Sequence, residues 1–406
     1  MAQIYPFHPL RYTAKAGPLD KLVTQPYDKI SPAAQAKYLA ASPYNVVRVV
    51  LGERQATDSD TNNVYTRSAA QLQDWIASGI LARDAEPAVF PYFQEFTVPD
   101  TGERLVRKSF IALGAVEDYS KSIVYRHEKT LSGPKVDRMQ LLRHTRAQLE
   151  QIFMLYSDPA CAIDTLLDTA AAEAPLAEVT DEYGVIHRMW RIAGGEKIQS
   201  LMRDQKLLIA DGHHRYETAI AFRDENPGVA GADRVPMAFV NMHSPGLRIL
   251  ATHRLVSNVP VDGFVEKAAA GFRVDEIDSL DPLQRAWSKN DGRSVIGAAI
   301  GPKLYMLEDR TAQRELDVRI LHERILGGVL GITEQAVRDE KHLRYVRGID
   351  AAVEEARKGT AGVAFLLKAT SVQQVADTSF GGGVMPQKST DFYPKLLSGM
   401  AIYQLG

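Results

Sequence analysis

The stretch "LLIADGHHRYETAIAFRDE", residues 207–225, opens as an apolar run, breaks at Asp211-Gly212 and resumes as a polar-faced helical pattern. A strand that turns straight into a helix leaves several first-turn N–H groups unpaired and aimed at one spot, which attracts anions. Gly212 lets the backbone come close, His213 and His214 can donate, and Arg215 offers a planar fork suited to phosphate. The competing reading is a capped helix with Asp211 as its N-cap and the histidines on the surface. Adjacent histidines also raise the question of a metal. Neighbours in a chain point in different directions, however, and no H-x-x-x-H or H-E-x-x-H pair is present, which argues against zinc.

Outward from this joint, strand and helix patterns alternate. Residues 45–51, "NVVRVVL", read as a β-branched strand, "TRSAAQLQDWIASGIL" as an amphipathic helix ending near Gly79, and "AVFPYFQEFTVPDTGERLVRKSFIALGAVED" as a hairpin turning at "PDTGE". Next come a short strand, a loop broken by Gly133 and Pro134, and a helix in "SIVYRHEKTLSGPKVDRMQLLRHTRAQLE"; "IFMLYSD" is a strand and "TDEYGVIHRMWRI" a hairpin. "VPMAFVNM" and "LRILATHRLV" are further strands; "RSVIGAAIGPKLYMLED" is a hairpin, "RILHERILGGVLGI" a helix and "GVAFLLKA" a strand. The tail "FGGGVMPQKSTDFYPKLLSGM" is loop-like. The expectation is a multi-domain α/β to α+β chain: an N-terminal α/β domain over 1–115, a central domain with a mixed sheet over 116–260, and a C-terminal α+β domain over 261–406.

Composition narrows the function. With 45% hydrophobic and 24% charged residues, 48 Lys+Arg against 50 Asp+Glu and a net charge of -2, the chain has no electrostatic footprint for nucleic acid or membrane. The single cysteine, Cys161, excludes an intrachain disulfide and reads as a small buried hydrophobe. With no apolar leader and no run approaching 18 apolar residues, a cytoplasmic location is expected.

Four separated motifs, "RHEKT…PK.DR", "ADGHHRYETA", "THRLV" and "MPQKST.FYPKL.SG", resemble those of the bacterial and archaeal family filed as domain of unknown function 1015, over essentially the whole chain. That family in turn resembles, more remotely and mainly in its middle segment, the ParB and sulfiredoxin-like nucleotide-binding fold, which includes kinases of free serine. The resemblance implies a nucleotide-phosphate site at Gly212, His214 and Arg215. Sulfiredoxin-type enzymes carry a catalytic cysteine where His213 stands here, which argues against their chemistry. In the serine kinases a "HE" pair supplies the catalytic base, and His127 and Glu128 match it.

The chemistry agrees with that implication: phosphoryl transfer to a hydroxyl needs a proton acceptor and positive charge around the oxygens. Glu128 could accept the proton, with Arg126 and Lys129 beside it, unless these form a solvated strip. Asp211 is placed to hold Mg²⁺ or orient the hydroxyl, His213 is a further catalytic candidate, and Glu217 is a structural or substrate partner. Lys388, Ser389 and Thr390 in "GGGVMPQKST" read as a second anion-binding stretch without Walker spacing. Lys135, Arg138, His253 and Arg254 are candidate cleft-wall residues. The expected function is an ATP- or ADP-dependent phosphotransferase acting with Mg²⁺ on a small hydroxylated metabolite, with serine favoured only through the resemblance. The alternative is a nucleotide-operated regulatory module that phosphorylates no metabolite.

Overall fold

In the computed structural model, which describes residues 1–406 except Lys129, Leu131, Asn290 and 312–314, Asn63 opens the first long helix, α1 (Val64–Ala77). Its side chain accepts from the N–H groups of Tyr65 and Thr66 and Thr66 answers in a capping box, while Val64, Ser68, Leu72 and Trp75 form the buried stripe. Strands β1 (Ala88–Thr97) and β2 (Arg104–Ala115) form the expected hairpin, closed by Val98 N–H on the Glu103 carbonyl at 2.8 Å, with Gly102 at φ 71°.

Strand β3 (Val124–Tyr125) leads to α2 (Ser132–Thr145). Gly133 and Pro134, expected in a loop, lie in the first turn of α2, where proline's missing N–H has no intrahelical partner to lose. The chain continues through β4 (Ile152–Tyr156), α3 (Ala162–Ala171), β5 (Ala177–Thr180), β6 (Ile186–Met189), α4 (Glu196–Met202), β7 (Leu207–Asp211), α5 (His213–Glu225) and β8 (Arg234–Asn241). These strands build a mixed sheet in the order β3-β7-β4-β8-β2-β1-β6-β5, extended by Ile4–Tyr5 and Ile192–Ala193. β3 runs parallel to β7, and β4 parallel to β8; the other neighbours in that order are antiparallel. Phe110, Ile152, Met154, Ile209 and Phe239 from four of the strands share one core with Tyr216 of α5.

Two readings of local structure are corrected. "NVVRVVL" contains a helical turn, Val47–Val50, not a strand. The Asn45 side chain accepts from Val47 N–H, and Val46, Val47, Val49 and Val50 are all buried, so burial overrides β-propensity. Cys161 is only half-buried, and precedes α3 with φ 52°.

The chain divides into two compact units, residues 1–247 with 394–406, and 248–393. This grouping does not follow the divisions expected at 115/116 and 260/261: β1 and β2 pair into the same sheet as β4, β7 and β8. Residues 394–406 return to the first unit. There Leu10 N–H donates to the Ile402 carbonyl at 2.8 Å, and Tyr403–Gln404 pairs with Ala147–Gln148.

In the second unit the expected strand "LRILATHRLV" is broken into Arg248–Ile249 and β9 (His253–Val256). Strands β10 (Phe272–Ile277), β11 (Val295–Ile300), β12 (Lys303–Asp309), β13 (Leu343–Val346) and β14 (Val363–Leu366) join β9 in an antiparallel sheet ordered β10-β12-β11-β14-β9-β13. Helices α6 (Asp281–Lys289), α7 (Ile349–Arg357) and α8 (Val372–Phe380) accompany it, and Asp317–Ile320 runs into a π-helical stretch, Leu321–Val329. Ile296, Leu307, Leu321, Ile325, Val363 and Phe365 form its main core. Among the described residues, no helix is long and apolar enough to cross a membrane.

Candidate functional site

The pairing of β7 with β4 slips between Ile209 and Asp211, an irregularity of the kind that re-aims a side chain at a strand end. Gly212 follows at φ 94°, a left-handed conformation that glycine adopts without strain, and α5 begins at His213 with no side chain capping it. Asp211 is therefore not the N-cap. Its Oδ1 instead accepts from Gly212 N–H at 2.9 Å, while its Oδ2 faces Lys395 Nζ at 3.3 Å. A Cβ at position 212 would stand 3.0 Å from the Arg215 guanidinium, which lies back over the glycine and donates to the Gln151 carbonyl at 2.6 Å.

Charge around Asp211 is dense. Burial alone would push its carboxyl up, but Lys395, Arg215 and Lys29 together hold it well below the usual carboxylate range. His127 and His213 pack edge to face with ring centroids 4.7 Å apart. His127 Nδ1 lies 2.8 Å from the Ile209 carbonyl, so that nitrogen carries the proton, and burial lowers the pKa to about 4. Burial, with His127 beside it, likewise pushes His213 well down, and both rings are neutral at pH 7. His213 Nε2 is buried and has no hydrogen-bond partner. His214 is half-buried, and its pKa too is lowered chiefly by burial.

One turn into α5, Glu217 receives Arg126 at 2.9 Å, Thr130 Oγ1 at 2.6 Å and Lys135 Nζ at 3.0 Å. Burial would raise its pKa, but these three donors bring it below the ordinary value. The segment before α2 is thereby tied to the face of α5. Glu128, half-buried, follows His127 in that segment; Lys129 lies outside the described residues.

The first unit thus brings together Arg126, His127, Lys135, Asp211, Gly212, His213, Arg215 and Glu217. Arg138 is a packing residue that also lines a small pocket with Glu150 and Arg215. It is 7% exposed, donates to the Val50 carbonyl at 2.9 Å and lies over the Tyr27 ring at 4.0 Å. His253, in the second unit, is also a packing residue: it is 2% exposed and its Nδ1 accepts from Leu367 N–H at 3.2 Å. Arg254, Lys388, Ser389 and Thr390 belong to the second unit, where Arg254 donates to the Lys388 carbonyl at 2.9 Å and Lys388 has φ 56°.

Sequence reasoning missed Lys395, Lys29 and Glu150. Glu150 Oε1 accepts from Tyr27 N–H at 3.0 Å and Ser398 Oγ at 2.7 Å, which fixes the "QPYDKI" segment, residues 25–30, beside the tail. The available signal was a charge inside an apolar run, as at Lys395 in "FYPKLLSGM". Among the described residues, no group of three or more His, Cys, Asp or Glu side chains is arranged to hold a metal ion.

A search of curated proteins returned no match. Solved structures similar to this chain include a free serine kinase mutant in complex with ADP, at 12% identity and TM-score 0.38, covering 66% of this chain and 84% of that one. A conserved hypothetical protein from Pyrococcus furiosus is similar at 14% identity and TM-score 0.34, covering 66% of this chain and 87% of that one. SbnI with a C-terminal truncation, from Staphylococcus aureus, is similar at 11% identity and TM-score 0.37, over 72% of this chain and 86% of that one. A family model matches residues 4–319, and on that match the chain belongs to the family described as Protein of unknown function (DUF1015).

Proposed function

We propose that the β7–α5 joint binds the phosphates of ATP or ADP, and that the chain is a nucleotide-dependent phosphotransferase acting on a small hydroxylated metabolite of the free-serine type. The observation that carries this reading is His213 Nε2, a buried polar atom left without a partner at the start of an uncapped helix. A phosphate oxygen there would meet the first-turn N–H groups of α5, with His214 and Arg215 as further donors. The motif resemblance to free serine kinases points the same way, and with it to a ParB/sulfiredoxin-like core.

Glu128 is assigned as the base that takes the hydroxyl proton. Asp211 is too firmly ionised to be an effective base and serves to orient the acceptor hydroxyl. It does not fit a Mg²⁺ ligand either, since its oxygens face Gly212 N–H and Lys395. A magnesium ion accompanying the nucleotide would take its ligands from phosphate and water, and no step is assigned to it.

The test is incubation of the full chain with ATP or ADP, Mg²⁺ and a pool of hydroxylated amino acids, with the phosphorylated product read by mass spectrometry. Glu128→Gln should lose turnover while keeping nucleotide affinity, and Arg215→Ala should weaken that affinity. Binding without product would favour the regulatory-module alternative. No nucleotide binding by the wild type would overturn both.

A further inference from the structure

The second unit holds a cavity of about 970 Å³, lined entirely by its own residues. That is the volume of a small-metabolite site. Its wall includes Arg254 at β9, Trp287 of α6, Asp317 and Arg319 ahead of the π-helical stretch, and Thr370 and Ser371 at the start of α8.

Arg254 is the unusual member. It is 1% exposed, its guanidinium donates to the Thr252 and Lys388 carbonyls, and its Nε has no partner. Among the described residues, no carboxylate forms an ion pair with it. Tyr345 presents its ring at 5.4 Å, which eases the charge without neutralising it. A buried cation without a counter-ion is costly, and the cost falls when an anion enters.

Arg319, also in the wall, reaches only the Val384 carbonyl at 3.4 Å and has no carboxylate partner among the described residues. Opposite charge is present but largely committed: Asp291 pairs with Arg293 at 2.7 Å. Burial pushes the Asp317 carboxyl up, while a hydrogen bond from Ser294 and the charge of Lys368 act against that rise. Glu315 and Asp377 remain, the latter accepting from Gln373 Nε2 at 2.7 Å, so the cavity also has acceptors for a hydroxyl or amine.

We infer that this cavity binds a small polar metabolite whose oxyanion, carboxylate or phosphate, is the counter-ion of Arg254 and Arg319. The inference is independent of the β7–α5 site.

Calorimetric titration of the full chain with inorganic phosphate and, separately, with succinate, at ionic strength held constant by KCl, tests it. At least one probe should bind saturably. Arg319→Gln and Ala369→Trp, the second filling the cavity without removing a bond of Arg254, should each weaken binding tenfold or more. The same titrations in an Arg215→Ala background, which removes a phosphate donor of the first unit, isolate the binding that belongs to the cavity. A response to phosphate alone assigns a phosphorylated ligand, to succinate alone a carboxylate, and to both an oxyanion of either kind. Absence of saturable binding by the wild type overturns the inference. So does binding that, in the Arg215→Ala background, survives both cavity variants.

Discussion

Replacing Gly212 by alanine forces a β-carbon into a left-handed conformation and against the Arg215 guanidinium. The backbone term alone costs roughly 1–2 kcal/mol. Urea unfolding should show that loss, and nucleotide affinity should fall with it because Arg215 must leave its place over the joint. Close by, His127 gives the molecule a pH dependence of definite sign. Its pKa is about 4 when folded and about 6.5 in the unfolded chain, so between these limits the unfolded chain takes the proton and the native one does not. Stability is fully present above about pH 6.5 and falls as pH drops toward 4, by about 1.4 kcal/mol per pH unit for this one group. His213 acts in the same direction. The stability difference between wild type and His127→Gln, measured by urea unfolding, should therefore be smaller at pH 5 than at pH 7. At this scale the sequence was informative where chemistry is local, since Asp-Gly-His-His-Arg announces a turn and a cluster of donors. It was uninformative about Lys395, which meets Asp211 only after the chain has returned from far away.

Among elements, the turn after β8 offers a harder steric test than the joint does. A Cβ on Gly246 would lie 2.1 Å from the Val106 carbonyl of β2, and backbone cannot swing aside as a side-chain tip can. Gly246→Ala should lower stability by at least the roughly 1–3 kcal/mol typical of overpacking, visible as a reduced melting temperature. Most elements were legible because their periodicity and caps agree, as in α1 with its Asn63 cap and buried stripe. The failures share a cause. At Val47–Val50 an unbroken apolar run carries no period, and at Gly133-Pro134 residues that usually interrupt a helix sit where a helix tolerates them.

For the whole molecule, the tail decides. Residues 394–406 supply Lys395 to Asp211, Ser398 to Glu150, a backbone bond to Leu10 and the Ala401 carbonyl to Gln151 Nε2 at 2.6 Å. Deleting them should open the edge at Ala147–Gln148 and expose the apolar surface that Leu397, Met400 and Ile402 cover. Limited proteolysis of the truncated chain should cut the first unit under conditions that leave the full chain intact. No local pattern in the sequence announces this, because it depends on pairing residues hundreds of positions apart, whereas composition and periodicity report only on neighbours. The same connectivity carries a consequence for biosynthesis. At about 5–20 residues per second, the ribosome spends on the order of 7–30 s on the intervening unit, residues 248–393, before the last piece of the first one emerges. Throughout that interval the nascent first unit lacks its closing segment, and the apolar surface which Leu397, Met400 and Ile402 will cover stands open to chaperones and proteases.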